Sequence, residues 1–220
     1  MVAILTNSSK YRPQVSYVLV VSYLIYAVAL AIEFKWIFTD DFFMERFADH
    51  SQEGLVQSMI VLNKKSILLN YIAAVFVVLI PVYAVGGCLW IGFNLFERVA
   101  KFPDCLRMSA ISNLIFPVNY MLSVLLRVAK VLPYNETDAD NNFRYQSLLA
   151  LVRWDIPDWL LYPLEKINVT EVVFVLLLGY FISSSFALPF IKSVCYAVLF
   201  YGAGLLLWII FTVFLQFTLY

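Results

Sequence analysis

Charge is scarce in this sequence. Asp, Glu, Lys and Arg make up 14% of the 220 residues, and 63% are hydrophobic. A soluble domain carries about 25% charged residues, so the composition is that of a polytopic membrane protein. Histidine is scarcer still. His50 is the only one, which excludes a haem held by two axial histidines, a His-ligated zinc protease and a Ser–His nucleophile pair within the bilayer. The three cysteines, Cys88, Cys105 and Cys195, are far apart and form neither a CxxC nor a zinc spacing; two lie in apolar runs, where a thiol acts as a small hydrophobe. The 15 basic residues balance the 15 acidic ones and build no cluster that would follow a phosphate backbone, so nucleic acid is excluded as a partner. Internal repeats and low-complexity tracts are also missing.

Five runs without a single charge fill most of the chain: residues 15–32, 66–96, 108–126, 172–191 and 193–220. About 20 apolar residues cross the hydrocarbon core as a helix, and a backbone without water must bond internally. The expected fold is therefore all-α, a five-span transmembrane helical bundle forming one integral membrane domain over residues 1–220. The run 66–96 is long enough to require a tilt, a kink at Pro81 or an exit into the interface. Pro117 should kink the third span, the most polar of the five. Phe43/Phe47 and Leu55/Met59/Leu62 in the first long connection, and Tyr145/Leu148/Leu149/Val152 in the second, predict amphipathic helices lying at the interface. Trp154, Trp159 and Tyr162 are the kind of residue that collects there. A tight turn is expected at Lys192.

With the N-terminus inside, the inner segments carry Lys10, Arg12, Arg98, Lys101, Arg107 and Lys192 against Glu97 and Asp104, while the outer connections are acidic. This satisfies the positive-inside rule and predicts a cytoplasmic N-terminus and an outer C-terminus.

Since none of the five runs contains an ionisable residue, the sequence argues against a proton relay or an ion-coupled pump. Small residues predict close helix packing at Gly86 and Gly87, and at Gly179, Ser183 and Ala187, which recur every four residues. Asn70, Asn94, Asn113 and Asn119 are candidates for a polar pathway, although bonding between helices is the more economical use. Asp138-x-Asp140-x-Asn142 opens like a calcium loop, but Phe143 and Leu149 stand where Gly and Glu are needed. Asp155 and Asp158 lack an acid–base partner. Asn7, Asn135 and Asn168 begin glycosylation-type triplets. No catalytic residue, metal or cofactor is expected.

From Tyr83 onward the chain resembles the Yip family, the Ypt/Rab-interacting five-span membrane proteins, and more closely its bacterial-type relatives. The resemblance rests on Ala84-Val-Gly-Gly-Cys88, a basic loop from Arg98 to Arg107, and a Ser-rich span with a proline, Ser109 to Pro117. It also rests on Leu164-Glu-Lys-Ile-Asn168 leading into a Gly-bearing span, and on the count of five with the N-terminus inside. Eukaryotic members have a longer region before the first span, where this chain has 14 residues. The resemblance implies a bacterial inner membrane, or an endomembrane in a eukaryote. The expected function is that of a non-enzymatic subunit or scaffold of a membrane complex, of a trafficking or secretion type, with membrane lipids and other membrane subunits as partners. The alternative is a permease or lipid-translocating protein that uses the polar third span.

Overall fold

The computed structural model describes residues 14–40, 42, 44, 53–96, 100–132, 146–152 and 156–219. His50, Asn7, Asn135, Asp155 and the Asp138–Asn142 acidic turn lie outside them, as does the side chain of Asp158. Among the described residues the chain is all-α, with helices α1 (Val15–Trp36), α2 (Glu53–Leu95), α3 (Phe102–Asn113), α4 (Ile115–Val128), α5 (Asp158–Lys166), α6 (Val169–Phe186) and α7 (Phe190–Leu219). Five segments are long and apolar enough to span a membrane: Val15–Trp36, Ile60–Leu95, Phe102–Val128, Val169–Phe186 and Phe190–Thr218.

Helix α2 organises the bundle. Its buried residues Ala74, Val78, Val82, Val85, Leu89 and Phe93 recur at steps of four, four, three, four and four, which keeps them on one stripe of a helix. That stripe enters all three core clusters. Ala74 packs with Ala29, Leu30, Tyr120 and Val124 of α1 and α4. Val82 meets Val18 and Ala110 of α1 and α3. Val85, Leu89 and Phe93 join Met108, Phe174, Leu178, Ile182, Ala197 and Phe200 of α3, α6 and α7. The opposite face of α2, including Val75, Phe76 and Ile91, points outward, as a lipid-facing surface does.

At 43 residues, α2 is about 64 Å long, twice the ~30 Å hydrocarbon core. Pro81 lies inside it without ending it. The excess emerges at the N-terminal end, where Lys64 Nζ bonds Asp40 Oδ2 at 2.9 Å in an exposed ion pair. The separate surface helix expected around Leu55–Leu62 is therefore the first part of α2. After Gly54 no glycine or proline interrupts the chain before the span, and a helix once nucleated propagates cheaply.

The third span is interrupted, one turn before Pro117. Leu114 separates α3 from α4, and its N–H bonds Ile111 O at 3.3 Å in a tightened turn. Pro117 has no N–H for the Asn113 carbonyl and its ring crowds that carbonyl, so the distortion falls on the residues before the proline. Pro103 opens α3 in the first turn, where its missing N–H costs nothing.

The boundary between the last two spans also differs. Helix α6 ends at Phe186, and Ala187 takes the left-handed conformation at φ 50°. Leu188 precedes Pro189, a position that disfavours helix. Lys192 thus sits in the first turn of α7 and the turn lies at 187–189. At the other end of α6, the Asn168 side chain accepts from Glu171 N at 2.8 Å, while its Nδ2 donates to Glu165 O at 3.1 Å. Both ends of this amide are in use and the residue is buried, so the Asn168 triplet is not a free acceptor for glycosylation. Asn168→Ala should cost about 1 kcal/mol through the lost cap, read as a lower melting temperature in detergent; an unchanged melting point would deny the cap any weight.

Candidate functional site

Glu33, Arg127 and Glu171 lie inside spanning helices and reach side chains of neighbouring helices, although the charge-free runs stop short of them. Glu33 follows the first charge-free run, Arg127 the third, and Glu171 precedes the fourth. Each helix continues past its charged residue, so the end of the run is not the end of the span. Glu33 and Arg127 side chains are 5% and 4% exposed, with Arg127 Nη1 at 3.8 Å from Glu33 Oε1. Tyr120 donates its hydroxyl to Glu33 Oε2, and the Tyr120 ring stacks on Tyr26 at 4.5 Å between centroids. Tyr26 and Glu33 are seven residues, about two helical turns, apart on α1, as are Tyr120 and Arg127 on α4. Both pairs thus meet at the same offset, as they do when two helices run parallel.

On the far side of the bundle the arrangement repeats. Tyr201 of α7 donates its hydroxyl to Glu171 Oε2 of α6 at 2.7 Å. Above this pair, Trp208 Nε1 donates to Tyr162 Oη at 2.7 Å, and Lys166 Nζ lies 5.3 Å from the centroid of the Tyr162 ring. Tyr162 and Lys166 are four residues apart, so α5 presents them on one face. The amphipathic helix expected around Leu148–Val152 is a single 3-10 turn, Leu148–Leu151; α5 follows it and rests on the second half of α7, with Trp159 also 6.5 Å from Phe217.

Between these two groups lies a cavity of about 560 Å³, within the range of about 300–1,000 Å³ that suits a small ligand. Its walls are mostly apolar: Val77, Val78, Ile80, Pro81, Val82, Ala84 and Val85 of α2, Phe116 and Pro117 of α4, Phe174 of α6, and Leu205 of α7. Polar groups enter at defined places. Ser22, Tyr26, Asn113 and Tyr120 stand along one side, and Tyr162, Lys166, Glu171, Tyr201 and Trp208 gather under α5. The cavity exists because no α7 residue after Phe200 is buried. This part of α7 leans on α5, and α2 and α7 still touch at Gly204, where an added Cβ would lie 2.6 Å from Cys88 Sγ.

Of the four candidate asparagines, Asn113 lines this cavity, and its Nδ2 is held by Ser109 O at 2.9 Å. Ser109 in turn donates to Val82 O at 2.7 Å, tying α3 to the α2 backbone. Asn94 is exposed near the C-terminal end of α2 and donates to Trp90 O at 2.7 Å. Asn70 is half-buried on α2 and Asn119 is buried on α4; neither lines the cavity. Asn70 and Asn94 are separated by about 36 Å of the same helix, so the four do not make one path.

The small residues also divide. A Cβ at Gly86 would stand 3.1 Å from Leu106 Cα, and one at Gly179 2.6 Å from Val194 Cγ2 and 3.0 Å from its Cα. Gly87 meets nothing within 4 Å. Ser183 Oγ donates to Leu188 O at 2.7 Å and closes the turn into α7. Ala187 is exposed in that turn and belongs to no helix face. Gly92, in the same half of the central run as Gly86, is where the Phe200 ring lies against α2.

The residues that shape the cavity were missed because they are individually ordinary. Tyr120 and Tyr201 look like two of 14 tyrosines. The signal that exists is the position of Glu33, Arg127 and Glu171 immediately beside charge-free runs. Comparison with family models, curated proteins and solved structures finds no match for this chain.

Proposed function

We propose that this polytopic membrane protein is a non-enzymatic binder of a bilayer amphiphile, held in the cavity between α2, α4, α6 and α7. The supporting observation is the gradation of the lining. Apolar side chains of α2, α4 and α7 face most of the volume, while Lys166, Glu171 and three aromatic side chains with polar tips crowd the end beneath α5. An amphiphile has the same gradation, and Trp and Tyr suit the level where chain gives way to headgroup. Glu171 stands in the first turn of α6 and Lys166 just before it, at the depth where a span meets water.

Filling the cavity tests this reading. Ala84→Trp and Leu205→Trp place bulk on the apolar wall without disturbing the cores. Native mass spectrometry of protein extracted in mild detergent should show a retained lipid on the parent, and about tenfold less on each variant, a difference of about 1.4 kcal/mol. Equal lipid retention by parent and variants would remove the proposal.

The scaffold reading keeps one support. The outer part of α2 leaves Val61, Leu62, Leu68 and Leu69 exposed, a face on which another membrane subunit would find apolar contact. Crosslinking in native membranes through Val61 or Leu62 checks it; recovery of uncrosslinked monomer alone would count against that partner.

A further inference from the structure

The amphiphile reading is the basis for a narrower assignment: we infer that the group bound beneath α5 is a zwitterionic phospholipid headgroup, its phosphate on Lys166 and its ammonium on Glu171. Lys166 and Glu171 both line the cavity. They nevertheless form no direct ion pair. Each has one side already engaged, Lys166 by the Tyr162 ring and Glu171 by the Tyr201 hydroxyl. The Tyr201 hydroxyl takes Oε2 of Glu171, and Glu171 lines the cavity together with Tyr162, Tyr201 and Trp208.

The signs decide the headgroup class. A purely anionic headgroup would satisfy Lys166 and meet the Glu171 carboxylate; a purely cationic one would do the reverse. At the edge of a low-dielectric cavity a like charge is costly, and selectivity follows from that repulsion as much as from the attraction. A headgroup bearing both signs offers a phosphate to the lysine, a common partner for its compact charge, and an ammonium to the carboxylate. The aromatic faces add cation–π attraction to the same ammonium. The acyl chains then follow the apolar wall of α2 and leave between the helices into the bilayer.

The probes are phosphatidylethanolamine, phosphatidylcholine and phosphatidylglycerol with identical chains, diacylglycerol, and free phosphoethanolamine. Each is titrated onto delipidated protein and counted by native mass spectrometry. The two zwitterionic lipids should bind about tenfold more tightly than phosphatidylglycerol or diacylglycerol. Free phosphoethanolamine should bind weakly, which separates a lipid site from a site for the small phosphate compound. Glu171→Gln should close the gap between zwitterionic and anionic lipid, and Lys166→Met should lower binding of both phospholipid classes towards the diacylglycerol level. A melting curve on each variant establishes that it is folded. Equal binding of all headgroups, abolished by Ala84→Trp, would overturn this headgroup assignment and leave the amphiphile site standing. Binding that neither Ala84→Trp nor the charge variants change would overturn both.

Discussion

Arg127→Leu should lower the melting temperature of the detergent-solubilised protein by on the order of 10 °C, from a loss of about 3–5 kcal/mol. Its guanidinium and the Glu33 carboxylate are almost wholly enclosed, at 4% and 5% exposure. Deleting the cation leaves the carboxylate buried with the Tyr120 hydroxyl as a bonded neighbour but with its countercharge gone. The desolvation cost of Glu33 then stands unopposed. The double variant Glu33→Leu/Arg127→Leu removes both charges and should recover most of the loss, because a buried ion pair is worth little against well-packed apolar groups. Melting followed by circular dichroism on both singles and the double decides the matter. If the double variant is as unstable as the sum of the singles, the pair is not what the singles are reporting.

The second large effect is expected at Gly179. A Cβ here would lie 2.6 Å from Val194 Cγ2, 3.0 Å from Val194 Cα and 3.2 Å from its nitrogen. Two of those three atoms are backbone, so α6 and α7 must separate to admit a side chain. Gly179→Ile should cost at least the ~1–3 kcal/mol of ordinary overpacking. Close backbone approach is also what holds helices together where lipid is as apolar as the side chains. Gly87→Ala is the internal control. It meets nothing within 4 Å and sits inside a helix, where alanine is favoured over glycine by about 0.5–1 kcal/mol. Its melting point should hold or rise. Equal loss at both positions would show that glycine matters here for reasons other than helix contact.

These two experiments bear on what was readable from the residues. The glycine contact at 179 was visible as part of a four-residue recurrence, yet the same recurrence included Ala187, which the structure places in an exposed left-handed turn. Spacing identifies residues that would share a face if the helix continues. It does not say where the helix stops, and here Leu188-Pro189 ends it. The proline in the third span was legible as a distortion, whereas its position at Leu114 depends on which carbonyl is crowded. Glu33, Arg127 and Glu171 were read as loop charges because a charge-free run is terminated by the first charge. A helix has no such rule when a partner on another helix is available.

The sequence by itself determined the solvent and the class of fold. Scarce charge and five apolar runs of about 20 residues or more select spanning helices over the shorter strands of a barrel, and their number follows from counting. Tertiary structure decided everything that depends on pairing across the chain. Glu33 meets Arg127 and Tyr120 only because α1 and α4 lie parallel at one offset. Tyr201 meets Glu171 because α6 and α7 fold back at Ala187. The cavity appears where the second half of α7 leaves the core to rest on α5. These are contacts between residues distant in sequence, and no local pattern of hydropathy carries them.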